Sequence, residues 1–286
     1  MIQAPEIVES AAVESLAPQE FEQIRELAYR TFGLDLKPGK EELVSARLGR
    51  LVRGGGFRSF QDYYRHVLGE PSGQALVAMV DALATNHTSF LREPDHFDFL
   101  CKELAPGLSK RESVDIWCAA CSTGEEVWTL AFVLNEVLGS GKVHITASDI
   151  STKVLSFAEK AVYAVNRCQN LPDTWLARYF AAQGHPANAY RVVAPIRAQV
   201  AFRRINLIHP IARRRQFPVI FCRNVMIYFD RQVQQRVVSQ LVECLEPGGH
   251  LFVGHAESLA RVSHGLEFVR PAVYRKPGKR EKKWSK

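Results

Sequence analysis

The chain has 286 residues, 47% hydrophobic and 23% charged, enough for one large domain or two modest ones and too apolar for an intrinsically disordered protein. Of its net charge of +7, the segment 275–286 carries +6 (seven Lys/Arg against one Glu), so the basic balance is that of a solvated tail and argues for no nucleic-acid partner. No run approaches the ~18 apolar residues of a membrane span, and the acidic start MIQAPEIVES lacks a secretory layout, which predicts a cytoplasmic protein with no membrane insertion.

Residues 1–19, with Pro5 and Pro18 and few aromatics, read as a loose leader. From 20 to 84 the pattern is helical throughout. Phe21, Ile24, Leu27, Ala28 and Phe32 recur at helical spacing, with Gly33 as the expected C-cap. Val44, Leu48 and Leu51 form the next stripe, ended by Gly54-Gly55-Gly56. Arg47, Arg50 and Arg53 step around the expected solvent side of that helix, and the stretch from Lys37 to Arg65 holds seven basic residues against Glu41, Glu42 and Asp62. Ser59 caps a third helix through Leu68, and a fourth covers about Gly73 to Leu83.

After Leu83 short apolar runs alternate with helical patterns: a strand at Val114–Ala120, a helix at Glu125–Leu138, a strand at Val143–Ser148, a helix at Thr152–Val162. A strand near Val219–Cys222, a helix from Asp230 to Leu245, a turn at Pro247-Gly248-Gly249 and a strand at His250–Gly254 follow. This alternation predicts an α/β domain over 85–276 with a mostly parallel sheet and helices on both faces. The stretch 166–206 breaks the rhythm. Its helical piece Trp175–Ala182 and the runs Tyr190–Val193 and Val200–Arg203 read as an inserted antiparallel β-subdomain. The tail is 277–286.

Ligands of open α/β sheets bind at the carboxyl ends of strands, near the point where strand order reverses. The loop after the first strand, Ala119-Ala120-Cys121-Ser122-Thr123-Gly124-Glu125-Glu126, offers small residues and one glycine, so a backbone can approach a ligand but a pyrophosphate is poorly served. Two carboxylates at the helix start suit a cation, such as the amino or sulfonium group of S-adenosylmethionine. Asp149, ending the second strand, suits ribose hydroxyls, and reads equally well as the N-cap of the next helix. Cys118 and Cys121 form a C-x-x-C without a second ligand pair, which favours packing over zinc or redox chemistry. His87, His250 and His255 lack ligand spacing, and no metal is expected.

Five ordered blocks resemble the chemotaxis receptor methyltransferases, the CheR family: Thr85-Asn86-His87-Thr88-Ser89-Phe90-Leu91-Arg92-Glu93-Pro94, Trp117 to Glu126, Ala147 to Thr152, Phe221 to Asp230, and Pro247 to His255. The resemblance spans about Phe21 to Lys276. It implies an all-helical N-terminal domain before a Rossmann-like methyltransferase domain with a small inserted antiparallel β-subdomain. It implies transfer of a methyl group from S-adenosylmethionine to receptor glutamates, leaving S-adenosylhomocysteine. Matched position by position, cofactor contacts fall to Asn86, Thr88, Arg92, Glu126, Asp149, Asn206, Leu207, Arg223 and Asn224, and the catalytic pair to Arg92 and Tyr228. The basic helix with Arg47, Arg50 and Arg53 is expected to face the acidic methylation helices of a receptor.

Val127-Trp128 stands where the family has a Pro-aromatic pair, Leu91 where it has Phe, and Ala256 where it has Ser; all three read as packing changes. The loop His185 to Tyr190 lacks the glycines of members that bind a receptor's tail peptide, so tail-independent action is expected. Two rival functions differ in class. A methyltransferase of small molecules or RNA is disfavoured by the helical front module, and an S-adenosylmethionine-sensing adaptor by the presence of Arg92 and Tyr228.

Overall fold

The computed structural model describes residues 15–84, 88–139, 141–183, 188–211 and 215–278. The chain divides into two compact units between 85 and 86.

The first unit is helical: α1 (Pro18–Phe32), α2 (Glu41–Gly54), α3 (Phe60–Gly69) and α4 (Gln74–Leu83). The stripe Phe21, Ile24, Leu27, Ala28 and Phe32 is buried as its spacing requires, and Gly33 closes α1 in the left-handed region at φ 73°. Ser59 caps α3 by accepting from the Asp62 amide at 3.1 Å. On α2 the buried residues are Val44, Leu48, Gly49 and Val52, while Leu51, expected inside, is half-buried. The helix therefore faces inward one residue further round than the stripe suggested. Arg47 consequently lies half-buried, its guanidinium donating to the Leu83 carbonyl at the end of α4, while Arg50 and Arg53 are exposed.

The second unit opens with α5 (Asp95–Phe99), which runs through one wide turn at Leu100–Leu104 into α6 (Ala105–Leu108). Then follow β1 (Val114–Ala119), α7 (Glu125–Leu138), β2 (Val143–Asp149), α8 (Thr152–Lys160), β3 (Val162–Ala164), α9 (Asp173–Tyr179), β4 (Phe180–Gln183), β5 (Ala189–Val192), α10 (Ala194–Arg197), β6 (Val200–Arg204), β7 (Phe217–Cys222), α11 (Arg231–Cys244), β8 (Leu245–Phe252), β9 (Glu267–Arg270) and β10 (Val273–Arg275). The main sheet has the order β6-β2-β1-β7-β8-β10-β9. Its first five strands are parallel, and β10 and β9 are added antiparallel. Every residue of β7 is buried, as expected of a central parallel strand covered on both faces. Strand order reverses between β1 and β7, so a ligand crevice belongs above their carboxyl ends.

Three local expectations are corrected. Val200–Arg203, assigned to the inserted antiparallel strands, lies in β6, which pairs parallel with β2 from Ile145↔Val200 to Asp149↔Arg204 and forms an edge of the main sheet. The small sheet is β3-β5-β4, so it starts at 162–164, ahead of the expected insertion at 166, and takes Val162 from the end of the expected helix, which stops when Ala161 turns left-handed at φ 54°. Pro247-Gly248-Gly249 does not precede the strand as a turn. It lies inside β8 where the register against β7 shifts, and a Cβ on Gly249 would meet the Pro218 carbonyl oxygen at 3.0 Å.

Candidate active site

Three loops meet at the carboxyl ends of β1, β2 and β7. The first, after β1, holds Ala120 at φ 60°, Ser122 at φ 49° and Gly124 at φ 95°. Only glycine fits at 124, because a Cβ there would lie 2.8 Å from both the Ala158 Cβ and the Tyr163 hydroxyl. The loop is tied to the end of β2 by the Ser122 amide, which donates to Asp149 Oδ2 at 2.9 Å. Asp149 Oδ1 accepts from the Ser151 amide at 3.0 Å, and the side chain that caps α8 is Ser151, accepting from Val154 at 3.3 Å. The cap alternative for Asp149 thus falls. Its carboxylate joins two loops. Asn206 and Leu207 follow β6 beside it, where the Ile205 amide donates to the Asp149 carbonyl at 3.0 Å.

The two carboxylates at the start of α7 do not stand as unpaired negative charge. Glu125 is fully buried and paired with Arg167, whose guanidinium also donates to Thr123 Oγ1 at 2.9 Å. Glu126 accepts from Arg223 Nη1 at 2.8 Å and from the Cys118 thiol at 3.3 Å. The cation expected opposite these acids is therefore, in part, the protein's own arginine.

Arg223 is the centre of the site. Its buried guanidinium also donates from Nη2 to the Arg92 carbonyl at 2.6 Å and to Glu93 Oε2 at 2.8 Å, and lies over the Phe97 ring at 5.6 Å. Glu93, at φ 55°, further accepts from Asn224 Nδ2 at 3.2 Å and from the His255 amide at 3.3 Å. Arg92, Glu126, Arg223 and Asn224, four of the residues carried over from the resemblance, are thus joined in one network. Thr88 precedes it, half-buried, and Asn86 lies outside the described residues. Tyr228 sits half-buried in the short turn Met226–Tyr228 just beyond Asn224.

The electrostatics follow from burial. Desolvation lifts the Glu126 carboxyl above its ordinary pKa, against the pull of Arg223. Burial would lift Glu93 too, but the hydrogen bonds and charge of Arg223, with Asn224 and the His255 amide, bring it below the usual value. Burial disfavours the charge of Arg223, yet Glu126 and Glu93 more than restore it, so it stays a cation. Cys118 and Cys121 are buried thiols with pKa values pushed well up, chiefly by desolvation, as suits packing rather than redox chemistry.

Among the described residues, the polar atoms buried without a hydrogen-bond partner include Ser122 Oγ, in the loop after β1, and Arg223 Nε. Both can donate to a polar ligand such as S-adenosylmethionine. Sequence reasoning missed Glu257 as an organiser of this site, since nothing in Ala256-Glu257-Ser258 distinguishes it from a surface glutamate. The Glu93 carboxylate serves Arg223 and Asn224, and that of Asp95 lies 3.3 Å from His255 Nε2 and 3.5 Å from Arg270. Among the described residues one group has metal-ligand proximity, Glu93, His96 and His255, with ligand atoms within 4.8 Å of one another. It shares only His255 with the histidines singled out in the sequence, and the Arg223 guanidinium bonded to Glu93 opposes a cation there.

A doubly wound sheet with a small-residue loop after its first strand and an acid closing its second has the architecture of the S-adenosylmethionine-dependent methyltransferases. Residues 86–274 match the family model described as "CheR methyltransferase, SAM binding domain", and residues 19–84 that described as "CheR methyltransferase, all-alpha domain". The chain belongs to the CheR methyltransferase family. It is 41% identical over 262 residues to chemotaxis protein methyltransferase 2 of Pseudomonas aeruginosa, covering 90% of this chain and 92% of the relative. Similar relatives include the chemotaxis protein methyltransferases of Klebsiella aerogenes (36% identical, covering 91% and 90%) and Escherichia coli (34%, covering 91% of each). Among the described residues no helix is long and apolar enough to cross a membrane.

Proposed function

We propose that this protein transfers the methyl group of S-adenosylmethionine to glutamate side chains of chemotaxis-type receptors, forming glutamyl methyl esters and S-adenosylhomocysteine. The observation that carries the reading is the buried network in which Arg223 ties the Arg92 segment to Glu126 and Asn224 at the switch point of the sheet. Its neighbours support it. Relatives sharing about 90% of this chain's length bear the name chemotaxis protein methyltransferase.

When bound, S-adenosylmethionine supplies an electrophilic methyl carbon on a sulfonium. Asp149 would accept from its ribose hydroxyls, with Asn206 and Leu207 bordering the same strand end. Asn86, Thr88, Arg92, Glu126, Arg223 and Asn224 would hold the rest, without a metal. A receptor glutamate, pKa ~4.3, is already ionised at neutral pH, so the site needs no general base. What it must supply is alignment, since an in-line displacement is governed by orientation. Arg92 offers a planar fork for the incoming carboxylate, and the Tyr228 hydroxyl fixes the direction of the attacking oxygen. A tight grip on the anion would stabilise the ground state and slow transfer, so both groups position rather than activate.

Receptors would be met through their acidic methylation helices by the exposed Arg50 and Arg53, with Arg47 beside them, in the cytoplasm and without a tail peptide. Residues 185–187 of the loop on which tail-peptide binding was judged lie outside the described residues. A Tyr228→Phe variant tests the catalytic reading. Turnover on receptor-containing membranes should fall at least about tenfold, with S-adenosylhomocysteine affinity by calorimetry changed less than about twofold. Unchanged turnover would remove Tyr228 from the mechanism.

A further inference from the structure

The loop that carries Asn224 and Tyr228 is organised by one buried carboxylate from another part of the chain. Glu257, 6% exposed, accepts four backbone amides. Oε2 takes those of Asn224 at 2.7 Å and Gly254 at 2.6 Å, and Oε1 those of Met226 at 2.7 Å and Ile227 at 3.3 Å. The amides of Met226 and Ile227 open the short turn on which Tyr228 sits, so the carboxylate acts as a cap on it. The other end of that turn is held by Gln234, whose side-chain amide donates to the carbonyls of Met226 at 2.9 Å and Phe229 at 3.1 Å. Asn224 itself is left-handed at φ 59°, a conformation a non-glycine residue keeps only where its surroundings impose it. Gly254 leaves room for the device, because a Cβ there would lie 2.4 Å from Asn224 Nδ2 and 2.9 Å from Glu257 Oε2.

From this geometry we infer that Glu257 is a positioning residue for methyl transfer, fixing the backbone from which Asn224 reaches the cofactor and Tyr228 the receptor carboxylate. The inference rests on the roles of Asn224 and Tyr228 proposed above. It needs a carboxylate in particular. Glutamine has the same length, but its NH2 would face amides that can only donate, and aspartate is one methylene too short to reach both groups of amides.

The test compares Glu257→Gln and Gly254→Ala with the wild-type chain by hydrogen exchange, S-adenosylhomocysteine calorimetry and receptor methylation. Gly254→Ala disturbs the device while leaving the carboxylate in place, so it covers the case in which loss of Glu257 prevents folding. In both variants, peptides spanning 222–230 should exchange at least about tenfold faster, with those of β1 unchanged. Turnover per cofactor-binding site should fall about 10- to 100-fold. Adding Tyr228→Phe to Glu257→Gln should cost less than about threefold more, because the contribution of Tyr228 is already lost. A residue important only for folding would leave turnover per binding site unchanged. Unaltered exchange over 222–230, or losses that multiply in full in the double variant, would overturn the inference. Faster exchange together with a fully active Tyr228→Phe would instead count against the proposed chemistry and leave the hold of Glu257 on the loop intact.

Discussion

Replacing Arg223 by methionine keeps much of the side chain's volume and removes the charge on which two buried acids depend. The guanidinium side chain is fully buried, and its partners Glu93 and Glu126 are only 14% and 11% exposed. Breaking a buried pair by deleting one partner costs about 3–5 kcal/mol, because the remaining charge is left without an answer. The molecule has one escape, which is to fold with a carboxyl protonated. For a group of ordinary pKa ~4.3 that costs about 5 kcal/mol at pH 8 and about 1.6 kcal/mol at pH 5.5. The loss should therefore be about 3–5 kcal/mol at pH 8 and shrink to about 2 kcal/mol at pH 5.5. The sign is that of a carboxyl whose folded pKa has risen above its unfolded one. Its stabilising proton is bound below the unfolded pKa and lost as pH rises through the folded one. Urea unfolding followed by tryptophan fluorescence reads this unit, since Trp117, Trp128 and Trp175 all belong to it. A loss under about 1 kcal/mol at pH 8, or a larger loss at pH 5.5 than at pH 8, would refute the account of Arg223.

Gly124→Ala places a Cβ at φ 95° and 2.8 Å from two neighbours, so it should destabilise by about 2–4 kcal/mol in the same unfolding assay and weaken S-adenosylhomocysteine binding in calorimetry. His96 is wholly buried and its pKa is lowered to about 4, first by desolvation and then by Arg223. The unfolded chain takes up that proton near pH 6.5 and the folded one only near 4, so stability is lost as pH falls through this window, by about 3 kcal/mol in all. His96→Phe should flatten that limb of a stability–pH curve. In the helical unit, Arg47→Ala should lower stability by about 1–2 kcal/mol through the lost bond to Leu83, whereas Arg50→Glu with Arg53→Glu should leave the melting temperature unchanged and slow receptor methylation. The wild-type rate advantage over that double variant should fade as salt rises. An advantage independent of salt would argue against steering by these arginines.

Where periodicity and capping chemistry are local, the sequence was legible. The buried stripe of α1 and the Ser59 cap are set by neighbouring residues, and so is the alternation of strands and helices from Val114 onward. What failed depends on distant partners. The run Val200–Arg203 looks the same whether it pairs antiparallel in a small sheet or parallel beside β2, and only the three-dimensional register decides. Pro247-Gly248-Gly249 carries turn residues that serve equally well in a bulge. The antiparallel strands β9 and β10 fall beyond the last strand read from the sequence, at Gly254. In the site, the motif residues could be named by resemblance, but their internal pairings could not. Glu125 and Glu126 read as charge awaiting a ligand, whereas arginines 42 and 97 positions away in the chain already answer them. Glu257 gave no local signal at all, because four amides gathered from two separate loops have no signature in sequence.

The central claim is that this chain esterifies receptor carboxylates. The most direct measurement is transfer of labelled methyl from S-adenosylmethionine to receptor-containing membranes of the source organism, followed by mild alkaline treatment. The account predicts protein-bound label that base releases as methanol, as glutamyl methyl esters must. Label that resists base, or no transfer by protein that binds S-adenosylmethionine in calorimetry, would contradict it.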